Sequence, residues 1–224
     1  MRGYTLKKMK KHAMIIQAST RKLVLTAHVL ASIGWLGALM VFLAHALTGQ
    51  FAQDPQLVRA VCIAMGLTAW FVILPLSVAS LLTGIIQALG TAWGLFRHYW
   101  VVAKLLLTAF ATLVLLLKMA PISDLANAAA TSAFASSDTS GLRLSLLVHS
   151  IGGMIVLLAI TVLAIYKPSG TTAYGARKYS TTPDSQVMNT VPKWVKVTGA
   201  VTLAVTVLLG IALLHGGHGP NMHG

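Results

Sequence analysis

The chain has 224 residues, of which 56% are hydrophobic and only 9% are charged. This composition excludes an ordinary soluble domain, in which about a quarter of the residues are charged. The 17 basic residues outnumber the 4 acidic ones and give a formal net charge of +13. Because nearly all basic residues fall outside the apolar segments, we attribute this charge to membrane topology and anionic lipid, and we expect no nucleic-acid partner. The single cysteine, Cys62, lies in an apolar segment, which excludes an intrachain disulfide and a cysteine metal cage.

Apolar segments of the sequence are long enough to cross a bilayer core of roughly 30 Å as helices. They comprise residues 23–47, 57–89, 100–117, 144–166 and 195–214. The runs are continuous rather than alternating, so we predict an all-α fold, a polytopic transmembrane helix bundle with about five spans. Its single domain covers residues 23–215. A basic cytoplasmic segment, residues 1–22, precedes the bundle, and a His-rich extracytoplasmic tail, residues 216–224, follows it.

Two of these segments carry further signals. The second is overlong and contains Pro75, which predicts a tilted or kinked helix in which Ser77 and Ser80 satisfy freed backbone groups. The first follows basic residues and contains Ala44-His45-Ala46, which resembles a signal-peptide cleavage site. Its apolar run is too long for a signal peptide, so we expect an uncleaved anchor.

The distribution of Lys and Arg predicts the orientation of the spans. Basic residues cluster before the first span, between the second and third, and between the fourth and fifth, whereas the opposite side has only Arg59, Lys118 and Arg143, near span ends. The positive-inside rule then places the N-terminus in the cytoplasm and the C-terminus outside a bacterial inner (plasma) membrane. We expect a small extracytoplasmic loop at residues 120–142 and an irregular cytoplasmic loop at residues 168–193. Neither houses an enzyme core, and common nucleotide-binding and hydrolase motifs are absent, so the sequence assigns no enzymatic activity.

Histidines within the spans are the candidate functional residues, because polar side chains inside lipid are costly. A helical rise of about 1.5 Å per residue places His28 and His98 in the inner half of the membrane. The same rise places His45 and His149 in the outer half. Paired imidazoles on facing helices ligate b-type haem, so two such tiers predict haem-based electron transfer across the membrane.

Other roles are open for these side chains. His45 and His98 lie close enough to the interfaces to be hydrated there, and His28 and His149 are suited to proton relay or hydrogen bonding. Lys104 either pairs with the inner site or extends its amine to the cytoplasmic interface.

The C-terminal tail contains imidazole donors at His215, His218 and His223. Together with the thioether of Met222, they suit copper, nickel or zinc. Because Gly and Pro fix no ligand geometry, we expect a weak surface metal site in this tail.

Several segments of the chain resemble an uncharacterised family of bacterial multi-spanning membrane proteins and, more loosely, the copper-resistance D and membrane b-type cytochrome group. The likeness is carried by AHVLASIGWLG at 27–37, Pro75-Leu76, Leu82-Thr83-Gly84, GTAWGLFRHYWVVAK at 90–104, Val148-His149-Ser150 and YKPSG at 166–170. The resemblance implies a helical membrane bundle and singles out His28, His98 and His149. It implies no established activity.

Three functions follow from these observations. The leading one is a redox membrane protein with one or two b-type haems, held by His28 and His98 at the inner site and by His45 and His149 at the outer site. The first alternative is a transporter or export factor for a metal or small molecule, in which Pro75 interrupts the second span. The second alternative is a non-catalytic subunit that docks another membrane protein, or a second copy of this chain, through small-residue helix faces.

Overall fold

The computed structural model describes residues 17–90, 95–131, 134, 139–172, 192–197, 199–200 and 204. The named elements in this part of the chain are all helical. They are α1 (Ala18–Phe51), α2 (Pro55–Thr68), a π-helical segment (Ala69–Ile73), α3 (Leu74–Gly90), α4 (Tyr99–Ala130) and α5 (Ser140–Tyr166). His98 and Thr171 form an isolated antiparallel β-bridge.

Four continuous helices in the described ranges are long and apolar enough to cross a membrane: Ser19–Phe51, Pro55–Gly90, Tyr99–Ala130 and Ser140–Tyr166. The second of them joins α2, the π-helical segment and α3. The predicted all-α class with several candidate spans is therefore confirmed. A helical turn at residues 193–197 lies at the start of the predicted fifth span, most of which falls outside the described residues.

The outer surface of this bundle differs from that of a water-soluble protein, while its interior is mostly apolar. Large apolar side chains cover its outer surface, among them Leu30, Ile33, Phe71, Leu89, Leu106, Leu117, Ile155 and Ile165. Polar side chains are buried in its interior, namely Ser77, Ser80, Thr112, Lys118, Ser145, His149 and Ser150. Apolar side chains are stable on an outer surface when the surrounding solvent is lipid, while polar groups in such a bundle find partners on its inside.

The π-helical segment ends two residues before Pro75. The N–H of Leu74 donates to the carbonyl of Ala69, five residues back, so this turn is wider than an α-helical turn. A proline ring in an α-helix clashes with the carbonyl four residues earlier, and the wider turn relieves that clash. Of the two predicted serines, Ser77 donates within its helix to the carbonyl of Leu74, at 2.8 Å, whereas Ser80 bonds across to Ser32 of α1.

Helix α4, which corresponds to the predicted third span, is much longer than predicted. It ends at Ala130 rather than at Leu117, so the prediction of an extracytoplasmic loop beginning at residue 120 was wrong. Pro121 removes one backbone donor there, but Ile122, Leu125 and Ala129 bury one face of this extension. That apolar packing stabilises the helix through its proline.

Neighbouring helices in the bundle run antiparallel. Gly34 of α1 lies against Leu76 of α3, while Gly49, near the other end of α1, lies against Val61 of α2. Likewise Leu39 of α1 lies against Gly153 of α5. One end of the bundle, here called the Arg97 end, contains the start of α1 and α4 and the end of α3 and α5. The opposite end is called the Arg143 end.

Candidate functional site

A cavity of about 70 Å³ lies inside the bundle between α1, α4 and α5 and is also bordered by Ile73 of the π-helical segment. Its walls are mostly apolar, and the polar groups on its described lining are Lys118, His149, Ser150 and the indole N–H of Trp35. We call it the Lys118–His149 cavity.

Helical periodicity turns these polar residues toward the cavity. On α4, Ala111, Leu115, Lys118 and Ile122 lie three or four positions apart and line the same space. On α5, Leu146, His149, Ser150, Gly153 and Leu157 follow the same spacing. Lysine and imidazole groups therefore occupy positions in an otherwise apolar inward face.

Lys118 is a buried cation, with only 7% of its surface exposed. Its Nζ donates to Ser145 Oγ at 3.2 Å. Two acidic residues lie in the described ranges. Asp54 caps the start of α2 by accepting a hydrogen bond from the backbone N–H of Gln56, and Asp124 is exposed on the outer face of α4. Neither carboxylate therefore compensates the Lys118 ammonium, which has three N–H donors.

His149 is equally buried, and its orientation is fixed by the neighbouring turn of α5. Its Nδ1 lies 2.7 Å from the carbonyl oxygen of Ser145. A carbonyl only accepts hydrogen bonds, so Nδ1 carries the proton and Nε2 has the lone pair in the neutral ring. Ser145 thus binds Lys118 through its hydroxyl and His149 through its carbonyl.

A second polar cluster lies nearer the Arg97 end, around His28. The Nδ1 of His28 lies 3.1 Å from the carbonyl oxygen of Ser80 and 3.2 Å from Thr83 Oγ1. Thr83 donates its own hydroxyl hydrogen to Ala79 O, at 2.5 Å, so it accepts from His28. A Cβ atom at Gly84 would lie 3.1 Å from His28 Cε1, so a glycine there leaves room for the ring.

Between the two polar clusters lies a smaller cavity of about 20 Å³. Hydroxyl-bearing residues Ser32, Ser80, Thr108 and Thr161 line it, and we call it the Ser–Thr cavity. This volume suits about one water molecule. Trp35, which is 4% exposed, and Leu157 border both cavities.

The structure holds His28 and His98 in different environments. His28 lies against α3, whereas His98 is the N-cap residue of α4, and its backbone pairs with Thr171 beyond the end of α5. The charge of Lys104 lies close enough to His28 for the two side chains to interact electrostatically. Lys104 lies six residues, or about 9 Å, farther along the helix than His98, which places His98 closer to the Arg97 end.

His45 and His149 lie at similar depths. The contacts of Leu39 with Gly153 and of Gly49 O with Arg143 Nη1 fix the register of α1 against α5. By that register His45 is level with residue 147, two positions or about 3 Å from His149. His45 does not line the Lys118–His149 cavity, and its buried Nδ1 makes no hydrogen bond within the described part of the chain.

The packing does not fit a haem between α1 and α5. Cavities that enclose small ligands measure roughly 300 to 1,000 Å³, several times the volume beside His149. The two helices touch about one turn from His149, where a Cβ at Gly153 would lie 3.3 Å from Leu39 Cδ2. In the described ranges, no group of three or more His, Cys, Asp or Glu residues is arranged to hold a metal ion. His215, His218 and His223 lie outside the described residues.

Lys118 is the cavity residue that the sequence analysis placed wrongly. It was assigned to the end of a span, but it lies twelve residues before the end of α4 and is buried. Lys118 shares its helical spacing with Ile122 and Leu125, and this spacing continues past Pro121, but it does not by itself distinguish a buried lysine from one that extends to water.

Comparison of the chain with protein families, with characterised proteins and with solved structures finds no match. The resemblance to the copper-resistance D and cytochrome group therefore stays a prediction.

Proposed function

We propose that the chain is a bacterial inner-membrane transporter that moves a small polar solute through the interior of its helix bundle. The observation that supports this proposal is the Lys118–His149 cavity. Burying an ammonium group in lipid-facing helices is costly unless the protein uses it, and intramembrane ionisable residues in transporters typically face an interior cavity. Helix packing alone would be better satisfied by an apolar side chain at this position.

The proposed route continues from this cavity toward the Arg97 end. The Ser–Thr cavity lies on the far side of Trp35, and its residue Ser80 shares a 2.8 Å hydrogen bond with Ser32. The backbone carbonyl of Ser80 in turn contacts His28. Polar groups thus extend from Lys118 to His28, and in this proposal Trp35 and Leu157, which border both spaces, form the barrier between them. A closed barrier between such spaces is what a transporter requires at rest.

The interrupted second span supports the same function. Ile73 ends the π-helical segment and also borders the Lys118–His149 cavity. Discontinuous helices at the membrane midplane commonly form the substrate sites of transporters, and π-helical turns are frequent at functional sites.

The test is solute flux into proteoliposomes that contain the purified chain. We expect Lys118→Met to lower flux about tenfold or more, because it removes a buried charge that contacts the solute. Leu117→Met is the matched control, since Leu117 is the preceding residue on the same helix and faces outward, with 57% of its surface exposed. Absence of flux for every member of a panel of anions, cations and neutral solutes, with folded protein, would overturn the proposal.

Haem-based electron transfer is the second candidate, because His45 and His149 lie at similar depths on adjacent helices. Holding a macrocycle there would require α1 and α5 to move apart. An absorption spectrum of protein purified from haem-replete cells tests it directly. A Soret band that His149→Ala removes would support it, and a colourless, folded protein would exclude it.

A further inference from the structure

We infer that the Lys118–His149 cavity binds a small monovalent anion. The inference names the substrate class of the proposed transporter and rests on that proposal only for movement of the anion across the membrane. Binding of the anion stands on the cavity itself.

The charge of the cavity favours an anion. Of the described residues that line it, Lys118 is the only one with a formal charge; α5 contributes His149, and the bordering residues of α1 and the π-helical segment are uncharged. Of the described acidic residues, Asp54 caps the start of α2 and Asp124 is exposed on α4, so neither lines the cavity. In surroundings of low dielectric constant an ammonium group needs a counter-charge, and an anion in the adjoining space provides one.

Ser145 leaves donors of Lys118 for such a ligand. The ammonium has three N–H groups, and the hydroxyl of Ser145 accepts one of them. The carbonyl of the same Ser145 accepts from His149 Nδ1–H and so orients the imidazole. Ser150 also borders the cavity, but its hydroxyl donates to the carbonyl of Leu147.

The size and walls of the cavity select among anions. At roughly 10–15 Å³ for each water-sized group, a volume of about 70 Å³ admits a ligand of only a few heavy atoms. Its walls include Phe42, Leu146 and Leu157, which offer no hydrogen bonds in place of a hydration shell, and Trp35, whose indole N–H is one donor. Iodide, nitrate and formate therefore suit the site better than sulfate or phosphate, whose charge requires more polar partners.

Charges at the Arg143 end do not add to this preference. Arg59 and Arg143 lie there and hold backbone carbonyls of other helices, but Asp54 and Asp124 lie at the same end and offset them. The preference for an anion therefore rests on Lys118, whose charge also disfavours a metal cation in this cavity.

The first experiment measures anion flux with the full chain in proteoliposomes. Vesicles contain the halide-quenched dye lucigenin for iodide and chloride, and ion-selective electrodes follow nitrate. We expect saturable iodide and nitrate flux that Lys118→Met lowers about tenfold or more, with larger flux retained in Lys118→Arg and unchanged flux in Leu117→Met. Flux of potassium or urea without anion flux would refute the anion inference and leave the transporter proposal standing.

The second experiment measures binding without transport. Trp35 lines the cavity, so iodide bound there should quench its fluorescence with a saturable dependence on concentration. The saturable part should disappear in Trp35→Phe, weaken in Lys118→Met and be displaced by nitrate. Saturable quenching without flux would support the anion site and refute transport, whereas quenching that rises linearly and is indifferent to Lys118 would refute the site.

Discussion

Gly66 lies where α2 and α4 approach closely. A Cβ atom built on it would lie 2.7 Å from the Cβ of Ala126, which is too short for two carbon atoms that are both attached to helix backbone. By contrast, nothing lies within 4 Å of a Cβ atom built on Gly37 of α1. The absence of a side chain thus has a packing function at residue 66 that it does not have at residue 37.

Gly66→Ala is expected to destabilise the bundle by about 1–3 kcal/mol, the usual effect of inserting a methyl group into a close contact. Thermal unfolding of the variant and of the unsubstituted protein in the same detergent measures the difference in stability. Gly37→Ala serves as the control, and its free energy of unfolding should stay the same or rise, because alanine favours the helix more than glycine does. Equal effects of the two substitutions would contradict the packing at residue 66.

The sequence predicted part of the site at the residue scale. His149 and His28 were chosen because imidazoles inside lipid are costly, and both have defined hydrogen-bond partners in the structure. Lys118 was missed because a lysine within reach of a span end can extend its amine to water, and spacing alone does not distinguish that arrangement from burial. Its burial depends on α5, whose contacts with α4 no local pattern in the sequence reveals.

At the scale of the elements, two arginines connect helices at the Arg143 end. Arg143 Nη1 donates to the carbonyl of Gly49 at 2.6 Å, and Arg59 Nε donates to the carbonyl of Ala129 at 2.9 Å. Both carbonyls lie in the last turn of their helices, α1 and α4, where they lack intrahelical partners. Each arginine therefore caps the C-terminus of a neighbouring helix and complements its dipole.

Arg59→Met should lower the free energy of unfolding by about 1 kcal/mol, because it removes a charged donor from a helix end. Arg21→Met, in the exposed first turn of α1, is the control and should have a much smaller effect. Chemical denaturation in mixed micelles measures both. A loss in Arg21→Met as large as that in Arg59→Met would argue against the cap.

The sequence predicted the presence of the helices more accurately than it predicted the residues at which they end. Segments 23–47 and 57–89 lie within helices that extend a few residues further, whereas the third span extends thirteen residues past its predicted end at Leu117. Hydropathy detects what lipid can accommodate, but helix length also depends on packing, as the buried face of Ile122 and Leu125 shows.

At the scale of the whole molecule, the antiparallel order of the helices fixes which connections share an end. The link between α1 and α2 lies at the Arg143 end, and the segment after α5 lies at the Arg97 end, where the N–H of Thr172 donates to the carbonyl of Arg97 at 2.9 Å. Because Lys and Arg predict that the Arg97 end is cytoplasmic, these two connections should face opposite compartments.

Site-specific labelling tests this orientation. In a Cys62→Ala background, Gln53→Cys lies between α1 and α2, and Thr171→Cys lies after α5; both positions are exposed. A membrane-impermeant maleimide applied to intact spheroplasts should label Gln53→Cys alone, and disruption of the membrane should make Thr171→Cys reactive. The reverse pattern would invert the proposed topology.

Ser145 accepts hydrogen bonds from two different neighbours. Its hydroxyl accepts from Lys118, and its main-chain oxygen accepts from His149. An alanine at this position would deprive the amine of its acceptor and leave the imidazole anchored. The two ionisable groups are thus separable by one point change, so the affinity of the lysine for a ligand can be tuned independently of the tautomer of the histidine.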